Sequence, residues 1–452
     1  MPHLTLRSVA VALSALCLCL NAQAETVEVF PLDLPRHISA LGVGPNGDIW
    51  FADQQGLMRL HDGSFEMMYE FPVDPGRVPQ VTMSPSGVIY LDNFQYQFTP
   101  VGGLLQTDVA QPSLGTWDIF CARGIIDADE RMFCVWGPWN YMNPYCSSNF
   151  GTWELYHGGA PQYRSRSGYV RGVLAVSARE FWLLTYYYQH TTGGPRWYLS
   201  RIDLEEGLGQ QTWSVVHVAT QLNAKDSQGR IWMSGWLDIV ALDGDELLTM
   251  FAGDPWSHEL YEGVCLGADG TVWSFCSRFP ATSSVVRFSG EDRADFFIDE
   301  YVSRLSLLDY DGRVWLEKWT SRGTLALVSI SDGGWPPMRL MLHEVATEGT
   351  IAVEAQVINN GPVVGVDVYV ALELNGQLVY WPNWQPGPYP VQVNLRPGHN
   401  QTATIIAMPR SGIPPGTYTF WGCMTGRGTQ KLIGPLDRKF ETLTIEVGDA
   451  GK

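Results

Sequence analysis

One phrase recurs along this chain: a polar turn, a glycine, two residues and an aromatic. Gly47-Asp48-Ile49-Trp50 is the first copy and Gly87-Val88-Ile89-Tyr90 the second. Gly229-Arg230-Ile231-Trp232, Gly270-Thr271-Val272-Trp273 and Gly312-Arg313-Val314-Trp315 repeat it later. Two degenerate copies, Glu130-Arg131-Met132-Phe133 and Arg179-Glu180-Phe181-Trp182, fill the gap. The aromatic positions are 50, 90, 133, 182, 232, 273 and 315, so the spacings run 40, 43, 49, 50, 41 and 42. A period in the low forties is that of a β-propeller blade.

The residues around each copy agree with that period. Asn46-Gly47, Asp269-Gly270 and Asp311-Gly312 accept positive φ and close tight hairpins. The strand that follows at once, as in Ile49-Trp50-Phe51, is apolar on both faces and must be covered on both. Sheets stacked around an axis supply that cover, and closing the ring protects their edges. No long amphipathic helical pattern interrupts the strands. The expected fold class is all-β: a seven-bladed β-propeller over residues 25–336, one blade per aromatic position, followed by an immunoglobulin-like β-sandwich over 337–448.

Gly44-Pro-Asn-Gly-Asp-Ile-Trp-Phe51 and Asp309-Tyr-Asp-Gly-Arg-Val-Trp-Leu316 carry a resemblance to the two-component-regulator propeller and streptogramin-lyase-like families. It covers roughly residues 30 to 335. It implies architecture rather than activity, since such propellers serve as sensors, binding modules and a few enzymes. The lyases of that group rely on His and Glu in loops. His190, His217 and His258 do not align to that motif, so no catalytic residue is carried over.

The pattern changes at Gly333-Gly334-Trp335-Pro336-Pro337. Beyond it Ile351–Ile358 and Val366–Leu374 alternate apolar and polar, and Asn375-Gly376 signals a hairpin. About eight strands fit in the remaining residues, the size of a sandwich domain. Val366-Asp-Val-Tyr-Val-Ala-Leu372 and Pro414-Pro-Gly-Thr-Tyr-Thr-Phe420 resemble the immunoglobulin-like modules at the C-termini of bacterial secreted proteins, which implies a spacer or attachment platform.

The N-terminus reads as a secretory leader over residues 1–24. Arg7 supplies the positive region, Ser8–Leu20 the apolar one, and Ala22-Gln23-Ala24 a cleavage site. The apolar run is too short to span a bilayer, which takes about 20 residues, and no other stretch qualifies. The chain is therefore expected to be exported to the periplasm, cell surface or medium, with no membrane span in its mature form. A formal net charge of −18 makes nucleic acid a poor partner.

Six cysteines follow the leader: Cys121, Cys134, Cys146, Cys265, Cys276 and Cys423. None has C-x-x-C spacing, so neither a metal nor a redox site is expected. An oxidising compartment permits disulfides. Cys121 and Cys134 flank a turn as the best candidate pair, Cys265 and Cys276 flank another in poorer register, and buried free thiols are the alternative.

No G-x-S-x-G, H-E-x-x-H or P-loop motif is present, so no catalytic residue is assigned and any cofactor is unknown. The two longest spacings instead bracket aromatic inserts. One runs from Trp136 through Trp139 and Tyr141 to Tyr145, the other from Tyr186 through Tyr187 to Trp197 and Tyr198. Long loops on a rigid scaffold commonly bind, and Trp and Tyr offer stiff, amphipathic contact area. The expected ligand-binding residues are Trp136, Trp139, Tyr141, Tyr187 and Trp197, and the expected ligand is a neutral glycan or a peptide. Packing of the same rings against their own loops is the competing role. The leading expectation is a secreted binding or interaction protein. A lyase- or hydrolase-type propeller enzyme and a structural envelope component are the alternatives.

Overall fold

The computed structural model describes residues 26–71, 78–91, 96–99, 103–107, 123–136, 153–157, 160–165, 169–177, 179–189, 194–203, 211–215, 221–235, 237–253, 259–278, 282–298, 302–320, 322–347 and 349–448. The expected leader falls outside them. The described chain is all-β, with many four-stranded antiparallel sheets of the kind that form propeller blades.

Seven such sheets follow one another in sequence. Their second strands are Ile49–Ala52, Ile89–Leu91, Met132–Trp136, Glu180–Gln189, Ile231–Ser234, Val272–Arg278 and Val314–Thr320. Every aromatic position of the repeat lies on one of them, the two degenerate copies included. Trp50, Trp182, Trp232, Trp273 and Trp315 are buried, while Tyr90 is half-buried.

The turn ahead of each second strand explains the phrase. Six places before the aromatic stand Gly44, Ser84, Asp127, Val176, Asp226, Gly267 and Asp309. In all seven, that residue's N–H donates to the carbonyl four places on, at 2.8–3.1 Å. In all but the fourth sheet, the amide three places on also donates back to that residue's own carbonyl, at 2.8–3.2 Å. This is a type I turn closed by a left-handed residue, the three-residue hairpin with a bulge rather than the two-residue hairpin. Gly47, Gly87, Gly229, Gly270 and Gly312 take the left-handed position with φ of 78–91°. Glu130 takes the same position in the third sheet at φ 62°, which is why that copy looked degenerate.

In the fourth sheet the bonding is tighter. Ser177 N–H also donates to Glu180 O at 3.2 Å, and Ser177 Oγ accepts from Glu180 N–H.

Side chains reinforce the turn. Asp226 Oδ1 accepts from the amides of Gln228 and Arg230, and its Oδ2 accepts from Arg230 Nε and from Trp232 Nε1 at 2.7 Å. Asp309 repeats this with the amides of Asp311 and Arg313 and with Trp315 Nε1 at 2.8 Å. Asp127 does so with Asp129, Arg131 and the Arg131 guanidinium.

Successive sheets share cores. Trp50, Ala52 and Leu57 pack with Ile89, Leu91 and Phe98 of the next sheet. Trp182, Leu184 and Leu199 pack with Ile231, Met233 and Val240. Trp273 and Phe275 pack with Val314, Leu316 and Val328. The series returns on itself, because Ile49, Phe51 and Leu60 of the first sheet pack with Trp315 and Leu327 of the seventh. The N-terminal strand Thr26–Arg36 pairs antiparallel with Gly323–Ser331 and supplies the seventh sheet's fourth strand, with Phe30 stacked on Trp315 at 5.4 Å.

Residues beyond Met338 form two more antiparallel sheets around one core. The three-stranded sheet contains Met338–Thr347, Thr350–Asn359 and His399–Pro409. The larger one is built on Val364–Leu374 and Gly416–Gly426. Leu340, Val353 and Ile405 meet Val366, Val370, Phe420 and Ile445 between them.

This two-sheet unit is seated on the repeat's own turns. Asn360 accepts from Ser227 N–H at 2.7 Å and donates to Gly267 O at 2.8 Å, bridging the fifth and sixth turns. Asn394 donates to Ala128 O of the third turn, and Thr429 Oγ1 to Pro45 O of the first. Lys431 and Lys439 both reach Asp311 of the seventh, at 2.7 and 2.6 Å. Burial opposes ionisation of Asp311, but the two ammonium groups outweigh it and hold the carboxyl below its usual range. The approach is close enough to demand glycine: a Cβ on Gly365 would lie 1.8 Å from Pro85 O, and one on Gly426 1.8 Å from Pro45 O.

The cysteines correct one sequence expectation. Cys265 stands opposite Trp273 and Cys276 opposite Tyr261, so the register keeps the two apart and they form no disulfide. Cys265 and Cys423 carry free thiols, pushed up by burial to about 12 and about 11. Cys121 and Cys146 lie outside the described residues, as does any bond from Cys121 to Cys134.

Two outcomes follow from these turns. Asn360→Ala strands a half-buried amide and a buried carbonyl, so urea unfolding of the whole chain should show a loss of about 1–3 kcal/mol; an unshifted midpoint would mean that the bridge contributes nothing. Glu130→Gly removes a left-handed non-glycine residue, whose conformation costs about 1–2 kcal/mol. Glycine's extra unfolded-state freedom offsets about 0.5–1 kcal/mol of that, so the variant should melt slightly higher. A lower melting point would show that the Ser86–Glu130 hydrogen bond outweighs the strain.

Candidate functional site

Strand direction decides where the aromatic inserts emerge. Each second strand starts at its turn and runs away from it, so the connection to the third strand leaves from the opposite end of the sheet. In the third sheet that connection runs from Trp136, the last residue of its strand, to Trp153. In the fourth it runs from Gln189 to Gly194. The turns of the first, second, third, fifth, sixth and seventh sheets face the C-terminal unit. Both inserts therefore leave from the edge remote from it, on sheets whose first strands, Arg123–Ile126 and Tyr169–Ala175, adjoin.

The five expected ligand residues are placed unequally. Trp136 ends its strand opposite Glu154. Trp139 and Tyr141 lie outside the described residues. The described part of the second insert is strand. Glu180–Gln189 and Gly194–Asp203 pair along their whole length, from Glu180 opposite Asp203 to Gln189 opposite Gly194, so the insert extends a hairpin. Tyr187 stands opposite Arg196 and Trp197 opposite Tyr186. Trp197 is half-buried and packs against the cluster of Trp182, Leu184, Leu199 and Val215.

The base of the same hairpin is fixed by a carboxylate that the sequence reading passed over as part of a degenerate copy. Glu180 Oε1 accepts from Trp182 Nε1 at 2.7 Å and from Lys225 Nζ of the fifth sheet at 2.8 Å, with Arg201 at 3.8 Å. Burial opposes its ionisation, yet Lys225, Trp182 and Arg201 together hold its carboxyl below the usual range. Glu180 does for Trp182 what Asp226 and Asp309 do for their tryptophans. The signal was present as Asp-x-x-Gly-Arg-x-Trp in the fifth and seventh copies. Among the described residues no group of three or more His, Cys, Asp and Glu is arranged to hold a metal ion, and no helix is long and apolar enough to cross a membrane.

No family model matches the chain, and no curated protein matches it. Among solved structures it is similar to the extracellular domain of a putative one-component system from B. thetaiotaomicron, at 11% identity and a TM-score of 0.28 over 90% of this chain and 69% of that one. It is also similar to a putative gluconolactonase, at 12% identity and a TM-score of 0.34 over 63% of this chain and 97% of that one. A third similarity is to Pyrococcus horikoshii acylaminoacyl peptidase, at 12% identity and a TM-score of 0.39 over 71% and 57%. Likenesses this distant carry no inference about ligand or reaction.

The packing of Trp197 yields a measurable expectation. Trp197→Ala should destabilise the chain by about 1–3 kcal/mol, as loss of a half-buried apolar ring does, read as a lower melting temperature without ligand. An unchanged melting temperature would mean that this packing contributes nothing to stability.

Proposed function

We propose that this chain is an exported binding protein. In this reading residues 1–24 are a cleaved leader, residues 25–336 a seven-bladed β-propeller, and residues 337–448 an immunoglobulin-like sandwich that covers the propeller's turn face. The propeller's other face binds a neutral glycan or a basic peptide through the inserts of the third and fourth blades. The observation that carries the reading is the topology: one edge of six sheets is taken up by the C-terminal unit, and both aromatic inserts leave from the other edge on adjoining sheets. Seven sheets sharing cores in sequence, with the seventh packed on the first, support the ring.

Trp136, Trp139, Tyr141, Tyr187 and Trp197 form the contact surface, with Trp197, half-buried against the cluster of Trp182 and Leu199, at its base. Stacked rings suit the C–H faces of sugars and the planes of peptide groups. The net charge of −18 favours neutral or basic ligands over polyanions.

A glycan and peptide array probed with the chain from residue 25 onward, and repeated with Trp139→Ala, tests the reading. A central aromatic anchor is worth on the order of 1–3 kcal/mol, about five- to 150-fold in affinity. Binding that survives the changes at Trp136, Trp139 and Tyr187 would place the site elsewhere.

A further inference from the structure

The C-terminal unit carries an aromatic face that the propeller reading does not use. Residues directly opposite one another on paired strands share a face of the sheet. Across five strands of the larger sheet, Thr442, Trp421, Ala371, Tyr380 and Gln385 stand in one such row. The next row along the strands holds Thr444, Thr419, Glu373 and Leu378, and on the other side Cys423 stands opposite Tyr369. This is the sheet's outer face. The intervening Val370, Leu372, Phe420 and Ile445 fill the core, whereas Trp421, Tyr369 and Tyr380 are not packed against it.

Three features fit this face to one kind of ligand. Trp421 is 36% exposed, although a tryptophan ordinarily gains from burial. Its indole is nevertheless fixed, because Nε1 donates to Glu373 Oε2 at 3.2 Å. Tyr380 stands two strands away with only the methyl of Ala371 between, and Ala371 is buried. Neighbouring strands lie about 4.8 Å apart, so the two rings stand roughly 10 Å from each other. That is close to the span of two pyranose rings in an extended chain.

The rows that hold these rings contain no lysine or arginine, and their carboxylate, Glu373, is engaged by the indole. The face is flanked by hydroxyl and amide groups, with Thr442 and Gln385 exposed at its two ends. Arg427 lies farther along, folded against Gly365 at the end nearest the propeller. An anionic polymer finds no cation in these rows, and a basic peptide finds beside the rings one carboxylate, already engaged by the indole, with Glu446 a further row away opposite Thr417. A neutral glycan finds rings for its C–H faces and hydrogen-bonding groups for its hydroxyls.

We propose that the outer face of the C-terminal unit is a second binding site, for a neutral, extended glycan chain, with Trp421 and Tyr380 as stacking platforms and Glu373 as the residue that positions the indole. Such a site would hold the protein to a polysaccharide surface while the propeller's open face remains available.

The test is affinity electrophoresis of the chain from residue 25 onward in gels containing, in turn, hydroxyethyl cellulose, a β-1,3-glucan, a galactomannan and a xylan. Retardation is expected in at least one of them. Trp421→Ala and Tyr380→Ala should each weaken it about tenfold or more, with unchanged melting temperatures. Glu373→Gln should weaken it less, and Trp421→Phe should retain part of it. Trp139→Ala should leave it intact, which separates this site from the propeller inserts. Absence of retardation in all four gels, or retardation that survives both Trp421→Ala and Tyr380→Ala, overturns the proposal. Loss through Trp139→Ala alone overturns it in favour of the insert site. Retention by a lysine-rich peptide that depends on Trp421, with none by any glycan, overturns the ligand assignment.

Discussion

One backbone hydrogen bond organises this molecule. In each of seven sheets, the N–H six places before the aromatic donates to the carbonyl four places on. That bond, with the left-handed residue inside it, turns the first strand into the second and fixes which face of the second strand each side chain takes. The aromatic ring is thereby delivered to the core that its sheet shares with a neighbour, as Trp50, Trp182 and Trp273 show. In the fifth and seventh turns, where the first residue is aspartate and the aromatic tryptophan, the carboxylate also caps the turn amides and receives the indole N–H, so one side chain ties turn, strand and core together. Asp309 does this while wholly buried, and burial raises its carboxyl above the usual range despite the Trp315 indole and the amides of Arg313 and Asp311 that donate to it.

The same turns give the molecule two unlike faces. A tight turn leaves short stretches of backbone, rigidly held, at one edge of every sheet. At four of the turns the C-terminal unit reads that backbone, and only at the seventh does it pair with a side chain, Asp311: Asn360 takes Gly267 O and Ser227 N–H, Asn394 takes Ala128 O, Thr429 takes Pro45 O. Recognition of main chain by amides tolerates drift in the repeat's sequence, as long as the turn geometry holds. The opposite edge, where the connections differ in length and composition, is free to vary, and binding residues on such scaffolds gather in variable connections.

The repeat was legible in the sequence because its physics is local. Gly47, Gly87, Gly229, Gly270 and Gly312 are needed for φ, and the aromatics for burial, so both leave a periodic trace. Glu130 and Arg179 blurred that trace, the first by taking the left-handed conformation without being glycine, the second by belonging to a tighter turn. What depends on distant partners left no trace. Thr26–Arg36 carries no repeat phrase, because its partner strand lies some three hundred residues away in sequence and supplies the register. The second insert reads as a loop because it lengthens the repeat spacing, whereas full pairing of Glu180–Gln189 with Gly194–Asp203 carries a hairpin well into it. Trp421 and Tyr380 escaped notice for the same reason, since only cross-strand register brings them into one row.

Seating the C-terminal unit has a local cost, and it shows in the sixth sheet. Gly267 stands where Asp226 and Asp309 stand in the fifth and seventh. A Cβ there would lie 2.6 Å from Asp269 Oδ1 and 3.1 Å from Trp335 O, because the segment leading to the C-terminal unit crosses at this point, with Ala268 N–H donating to Pro336 O at 2.9 Å. Without that aspartate, Trp273, wholly buried, finds no acceptor for its Nε1 among the described residues. An unmade hydrogen bond of this kind costs about 1–3 kcal/mol. The compensation is on the same residue: Gly267 O accepts from Asn360 Nδ2, and that asparagine also holds the fifth turn. The first, second and fourth turns also lack the aspartate, but in the sixth the position is filled by the crossing segment, and the turn's backbone bonds to the second unit stand in place of the aspartate–indole bond.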